Sequence, residues 1–464
     1  MAQAVAAAGK KRILGADYWR LWSATALTNL GDGVAVVAYP WLASAVTRSP
    51  ILIAVAAMIG RLPWLLFTLP AGVITDRLNR KKIIVSMDLF RGLLTFVIAS
   101  ILIFGQWDFP DLNSLRTGIT FETQWALYWV ILISALLFGS AEVLRDNAAQ
   151  TLMPSIVGKE NLERANGRMW SAEFLTNSMI GPALGSFLIG VAIYFPFLAD
   201  GMTFIFAAIL IASIKTTLPV AIKKESKNSD FGAFAQFRGE IAEGVKWLWS
   251  HHLLRSMAII LGLLNLLSSM SGALFILFAQ EVLQTTVFLF ALLGTAGAIG
   301  GILGGLLGPK VSSRFGSGAT LAVVLLLLPI LQIGIGLSFH WLQVWFLISV
   351  SSFVSVIWNV ITVSLRQSII PSELLGRVNS VYRLFAWGSI PIGLALAGGF
   401  VQLSSLFFER EWALRAPYLL AGVAGLILFL GAKARLTEER ISKAKDDAQA
   451  QTPEKAARDN EEVI

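Results

Sequence analysis

Long apolar runs separated by short polar connections dominate the chain from about residue 21 to residue 432. A helix crossing a hydrocarbon core of about 30 Å needs roughly 20 mainly apolar residues. On that ruler the sequence predicts twelve spans, near 21–46, 50–75, 83–104, 124–150, 167–192, 195–215, 254–281, 285–308, 318–338, 341–365, 379–403 and 414–432. The runs are continuous and too long for alternating strands, which excludes a membrane β-barrel. Several contain Gly and Pro, as in "LIAVAAMIGRLPWLLFTLPAG", which bilayer helices tolerate when neighbours re-satisfy the backbone. The first run follows Lys10, Lys11, Arg12, Asp17 and Arg20 and has no small-residue cleavage pattern behind it. It is therefore read as a retained helix.

Composition agrees with an all-α membrane protein. Hydrophobic residues make up 56% of the 464 and charged residues 14%, against roughly 25% charged in soluble proteins. The solvent of this chain is largely lipid. Its net charge of +8 does not point to nucleic acid, because the basic residues are parcelled out between apolar runs. With the N-terminus inside, only Arg48, Arg116, Arg410 and Arg415 fall in outer connections. Arg61 and Arg91 sit within spans, and the other Lys and Arg lie on the inner side or its boundary. This bias predicts both termini in the cytoplasm of a cell with a bacterial-type plasma (inner) membrane. The absence of Cys excludes thiolate metal sites and disulfides, and three His (His251, His252, His340) leave little for a metal centre.

The expected organisation is a cytoplasmic N-terminus (1–20), a six-helix bundle (21–215), a cytoplasmic central loop (216–253), a second six-helix bundle (254–432) and a charged cytoplasmic tail (433–464). In the central loop Phe231, Phe234, Phe237, Ile241, Val245 and Leu248 recur three or four apart. That spacing predicts an amphipathic helix, lying either on the inner membrane surface or packed on the protein. The aromatic-free tail is expected to be frayed or disordered. The two halves echo each other. Asp76–Asn79 ("DRLN") after span 2 resembles Ser313–Gly316 ("SRFG") after span 8, and Met153–Gly167 after span 4 resembles Ile370–Ser380 after span 10. Duplicated bundles of this kind bind substrate near the midplane and work by rocking.

The segment "GVITDRLNRKK" resembles the signature loop of the major facilitator superfamily, with Gly72, Asp76, Arg77, Arg80 and Lys81 on the motif positions. Asn79 stands where the family usually has glycine, and Asn tolerates the left-handed turn. "GDG" in span 1, "DLFRG" in span 3 and "GRVNSVYRLFAWGSIPIG" are similar to the exporter branch that contains the enterobactin exporter and macrolide efflux proteins. The resemblance implies twelve helices in two pseudo-symmetric bundles and a loop that latches the inner gate. Asp76 would meet the start of span 11 near Arg377, Val378 and Asn379, where the helix dipole favours an anion. Arg77 would pair with Glu142 or Asp146. The alternative is a solvated basic turn that fixes topology. Gly181, Pro182 and Gly185 match part of the "GPxxGG" motif of drug/proton antiporters, with Ser186 replacing the last glycine; small-residue helix packing explains them equally.

Ionisable residues inside spans carry the sharpest signal, because each costs at least about 2.5 kcal/mol at mid-bilayer if unpaired. Asp88 and Arg91 are spaced i, i+3, as are Glu142 and Arg145, so each pair is expected to self-neutralise on one helix face. Asp32 has no basic residue in its own span and ranks first as a proton-coupling site. Glu173 ranks second, with Arg61 as a counter-charge. Asp200 and Glu281 are placed nearer the outer face. For a mostly apolar and aromatic substrate pocket the candidates are Asn29, Tyr39, Trp41, Asn265, Trp358 and Asn359.

These readings predict a secondary transporter that exports an amphipathic small molecule such as a siderophore, a macrolide-like drug or a lipophilic metabolite, driven by an ion gradient, with protons the expected ion. No cofactor and no nucleic-acid partner are expected; the partners are the substrate and the bilayer, and the protein is expected to be monomeric. No "GxxxxGK[ST]" loop is present to bind ATP. An importer or lysolipid flippase on the same scaffold is the alternative. An intramembrane enzyme would need convergent His, Cys or paired carboxylates, and a sensor would need a signalling domain.

Overall fold

The computed structural model describes residues 14–111, 114–117, 119–157, 162–215, 239, 242–370 and 374–447. Among these the chain is helical, with no strand. Twelve long helices follow one another: α1 (Ala16–Val46), α2 (Pro50–Arg77), α3 (Arg80–Phe104), α4 (Trp125–Ile156), α5, α6 (Phe195–Ala212), α7 (His252–Gly272), α8 (Val287–Phe315), α9 (Ser317–Gly336), α10 (Trp341–Ile369), α11 (Leu375–Ser404) and α12 (Arg410–Ala432). Helix α5 runs over Leu162–Leu175, passes through a π-helical turn at Thr176–Ile180 and continues over Gly181–Val191. Eleven of the twelve are long and apolar enough to cross a membrane. In the remaining one, α1, Asp17, Arg20 and Asp32 dilute a 31-residue helix.

Large apolar side chains cover the outside of these helices, among them Leu93, Phe187, Leu306, Phe346 and Ile427. In water this would be an aggregation surface; in a bilayer it is the lipid contact. Polar side chains tie off the helix starts that the connections leave open. Asn79 Oδ1 accepts from Lys82 N at the head of α3, and Thr286 Oγ1 accepts from Leu289 N at the head of α8. His340 and Gln343 form a reciprocal capping box at the head of α10.

Contacts group the chain into two compact units. The first comprises Met1–Leu42, Leu66–Asp108 and Val130–Lys224; the second comprises Ala43–Leu65, Phe109–Trp129 and Glu225–Ile464. Thus 43–65 and 109–129, which belong to the first predicted bundle by sequence, group with the later part of the chain. The core of the first unit packs Tyr18 and Leu21 of α1, Ile84 of α3, Leu152 of α4 and Ile211 of α6. In the second unit the core joins Met257 of α7, Val324 of α9, Trp358 and Ile361 of α10, and Val381 of α11.

Several local expectations are corrected. The tail is ordered further than its charge suggested: residues 438–447 are helical, and Leu436 and Ile441 sit in the second core at 1% and 0% exposure. A few apolar residues at helical spacing suffice to dock an otherwise charged segment. Residues 448–464 lie outside the described residues. In the central loop, Phe231, Phe234, Phe237 and Ile241 also lie outside them. Residues 242–250 are helical and packed on the protein through the fully buried Leu248, while Val245 is exposed. The predicted span 254–281 ends at Gly272; a short helix Phe275–Leu277 and a π turn Phe278–Val282 follow. Asn79 does not adopt the left-handed turn: at φ −67 and ψ 111 it is an extended N-cap. In the echoing loop Gly316 makes the bend instead, at φ +83. There Glu438 Oε2 accepts from Gly318 N at 2.6 Å, so the acid on that helix N-terminus comes from the C-terminal segment.

Candidate functional site

Two glycines flank Asp32, and each brings α1 onto a neighbour. A Cβ on Gly33 would come within 2.6 Å of Asn177 O, and one on Gly181 within 2.6 Å of the Gly33 Cα. A Cβ on Gly185 would lie 2.8 Å from Val34 O. The "GDG" of α1 and the "GPALG" of α5 are therefore two sides of one close helix contact. A side chain on Gly31 would collide with Asp200 Oδ1 and Thr203 Oγ1 of α6. Helix α1 runs unbroken through this segment, so "NLGDG" is not a helix break. The π turn in α5 sits at the same contact, as such turns often do at working sites.

This packing gathers the buried charges of the first unit, and not in the predicted pairs. Arg91 donates through Nη2 to Asp32 Oδ1 at 2.5 Å. Its guanidinium lies 4.2 and 4.1 Å from the ring centroids of Phe138 and Phe204. Arg145 donates through Nε to Asp88 Oδ1 at 3.3 Å, through Nη1 to Asp146 Oδ1 at 3.3 Å and through Nη2 to Thr28 Oγ1 at 3.1 Å. The in-helix pairs expected from i, i+3 spacing give way to interhelical ones, Asp32–Arg91 and Asp88–Arg145. Side chains three apart on a helix can meet only over its surface, whereas these point into the bundle, where Asp88 and Arg91 are 0% and 1% exposed. Asp32 is accordingly not unpaired, and its counter-charge is Arg91 rather than Arg61, whose side chain is exposed. Glu173 is exposed on α5, and Glu142 is half-buried and interacts electrostatically with Arg91.

Asp200 is the residue that sequence reasoning left out of the site. It lies level with Asp32 against Gly31, is 1% exposed, and neither carboxylate oxygen has a hydrogen-bond partner. The available signal was an acid in the apolar run "FPFLADGMTFIF", followed by Gly as Asp32 is.

The signature-loop residues are only partly visible. Gly72, Asp76 and Arg77 lie in the last turns of α2, but the side chains of Asp76, Arg77 and Arg377 lie outside the described residues. Lys81 Nζ donates to Ile214 O at 2.7 Å, tying the head of α3 to the end of α6, and Arg80 is half-buried.

The pocket candidates divide. In the first unit Asn29 donates back to Thr25 O, Tyr39 packs edge-on against Phe197, and Trp41 is 1% exposed. In the second unit Asn265, Trp358 and Asn359 come together around a cavity of about 140 Å³ between α7, α9, α10 and α12. That unit also holds a charge cluster. Glu281 accepts from Arg48 and from Arg410, the latter through Nε at 2.5 Å. Arg48 further donates to Gln280 Oε1 at 2.7 Å and Leu115 O at 3.0 Å. Among the described residues no three His, Asp or Glu gather as a metal site would require.

Comparison with known proteins decides the lineage, for the Major Facilitator Superfamily matches residues 21–393. The chain belongs to that superfamily. Superfamily relatives include the multidrug efflux pump Tap of Mycolicibacterium fortuitum, 26% identical over 409 residues that cover 86% of this chain and 92% of Tap. Macrolide efflux protein A of Streptococcus pyogenes is 23% identical over 424 residues, covering 88% of this chain and 94% of that protein. Among solved structures, a bacterial homologue of the iron transporter ferroportin in an inward-facing state superposes with TM-score 0.66 at 17% identity, covering 90% of this chain and 98% of the other. At that identity the likeness establishes the fold. The chain is thus a multi-pass membrane transporter of the major facilitator fold and not an enzyme.

Proposed function

We propose that the protein is a proton-driven exporter of amphipathic small molecules, working by alternating access from a bacterial-type plasma membrane with both termini in the cytoplasm. Efflux is supported by Tap and macrolide efflux protein A, whose alignments cover nearly their whole length. Proton coupling is supported by one observation above the others. Asp200 is buried with both oxygens unpartnered, beside an Asp32 that already occupies Arg91.

In a medium without water a carboxylate needs a counter-charge or a proton. Asp32 holds Arg91, Asp88 and Asp146 hold Arg145, and Asp200 is bonded to neither, so among the described residues of the site carboxylates outnumber guanidiniums. A proton closes the balance. Movement of Arg91 between Asp32 and Asp200 then exchanges which acid holds the proton. Helix α1 carries Asp32 and packs on α5 and α6 at glycine contacts, so its displacement would transmit that exchange to the bundle. Glu173 is a second carboxylate from which protons can enter. The loop residues Gly72, Asp76, Arg77, Arg80 and Lys81 act as the inner latch, supported by the anchoring of Lys81 on Ile214 O.

Everted vesicles test this with erythromycin as the macrolide probe, with and without an imposed proton gradient. Wild type should accumulate the probe only with the gradient. Asp32→Asn and Asp200→Asn should each lose at least tenfold of gradient-driven accumulation while keeping downhill exchange. Full gradient-driven accumulation in both variants would refute the coupling assignment.

A further inference from the structure

The cavity in the second unit has features that packing alone does not explain. Its polar lining comes from three helices: Asn265 and Ser268 on α7, Gln332 on α9, and Ser351, Ser355, Trp358 and Asn359 on α10. Among the described residues no charged side chain lines it. Three polar atoms in this wall are buried without a partner, namely Gln332 Oε1, Ser351 Oγ and Trp358 Nε1. One is an acceptor, one is a donor, and the hydroxyl can be either. Trp358 is itself only 2% exposed.

Two neighbouring hydroxyls of α10 are satisfied by their own helix. Ser349 Oγ donates to Trp345 O at 2.9 Å and Thr362 Oγ1 to Trp358 O at 2.8 Å, on the same α10. Asn265 is fixed by donation to Ala386 O at 2.7 Å. Unmade hydrogen bonds are expensive inside a bilayer-embedded bundle, so three of them around one space call for an occupant. Its size is set by the space: about 140 Å³, close to the roughly 150 Å³ cavity that accepts one benzene ring. Its charge is set by the wall, which could not compensate an ion.

We propose that this cavity is a substrate subsite that takes one uncharged, ring-sized, hydroxyl-bearing group of the transported molecule, with Trp358 Nε1 donating to its oxygen and Gln332 Oε1 accepting its proton. The proposal rests on the export reading above and narrows its substrates to molecules that carry such a group. Charged parts of the substrate stay outside this cavity.

The test uses the full-length protein in lipid nanodiscs without a gradient, with 4-fluorophenol, fluorobenzene and 4-fluorobenzoate as probes. Saturable binding above that of empty nanodiscs is read by fluorine NMR. We expect 4-fluorophenol to bind at least tenfold tighter than the other two. Gln332→Leu and Trp358→Phe should each weaken it about tenfold and leave fluorobenzene unchanged. Equal binding of 4-fluorophenol and fluorobenzene in wild type overturns the proposal, without recourse to any variant. So does 4-fluorophenol binding that neither substitution weakens, which would make the cavity a water-filled structural void. Wild-type vesicles that export no erythromycin count against the export reading, whereas the nanodisc result bears on the subsite alone.

Discussion

Replacing Arg145 by Met should destabilise the protein far more than replacing Arg145 and Asp88 together. Asp88 is 0% exposed and the Arg145 side chain 5%, with Nε 3.3 Å from Asp88 Oδ1. At an effective dielectric of about 20 the attraction across that distance is about 5 kcal/mol, and it offsets the desolvation of both groups. Arg145→Met deletes the attraction but leaves Asp88 buried. It also abandons Thr28 Oγ1 and Asp146 Oδ1, which the same guanidinium holds. Removing one partner of a buried pair typically costs 3–5 kcal/mol, whereas exchanging both for apolar residues is often neutral or stabilising by about 1–4 kcal/mol. Arg145→Met should therefore cost about 3–5 kcal/mol, and Asp88→Leu with Arg145→Met should recover most of it. Equilibrium unfolding in mixed SDS micelles measures all four corners of the cycle. The companion cycle on Glu142 and Arg145 should show the smaller coupling. A loss below about 1 kcal/mol for Arg145→Met, or a larger coupling to Glu142 than to Asp88, would refute the interhelical pairing and restore the i, i+3 pairs.

Two further outcomes follow from groups outside this network. Glu281→Gln removes the charge shared by Arg48 and Arg410. Hydrogen bonds to charged groups are worth about 1.5–3 kcal/mol, so local opening should rise roughly tenfold or more. The chain has no Cys, so the rate of maleimide labelling of an Ala45→Cys variant, buried at 1% exposure, reports the opening directly; an unchanged rate would show that the Glu281 pairs do not hold this region closed. His251 caps α7 by accepting from Leu254 N through Nδ1, and burial pushes its pKa below the ordinary value of 6.5. A lowered folded pKa means that the cap's contribution is complete above about pH 6.5. It is lost as pH falls through the folded value, because protonation removes the acceptor. Thermal stability between pH 8 and pH 5 should fall less in His251→Asn, whose cap does not titrate, and equal slopes would exclude the cap as the sensor.

The number and type of helices were legible because lipid imposes length and apolarity on every span, a constraint that needs no knowledge of neighbours. The buried charges were legible as residues for the same reason: an ionisable group inside a span stands out against its surroundings. Their partners were not. Helical spacing names only what lies on the same helix, and Asp32–Arg91 and Asp88–Arg145 are choices between helices. The glycines hold the missing information. Gly31 and Gly33 read as part of a motif, yet what they decide is which helices touch α1, and with that which charges meet.

Asp200 shows how this argument runs from packing to function. Taken alone, position 200 is the sixth residue of α6 and reads as an acid near a span end. Once Gly31 admits its carboxylate to the level of Asp32, the same residue becomes an acid beyond those that Arg91 and Arg145 already hold. A structural ion-pair network would be expected to close its charge, since an uncompensated carboxylate in lipid is among the costlier features a helix bundle can carry. Leaving it open is useful when the missing charge arrives and departs with each transport cycle.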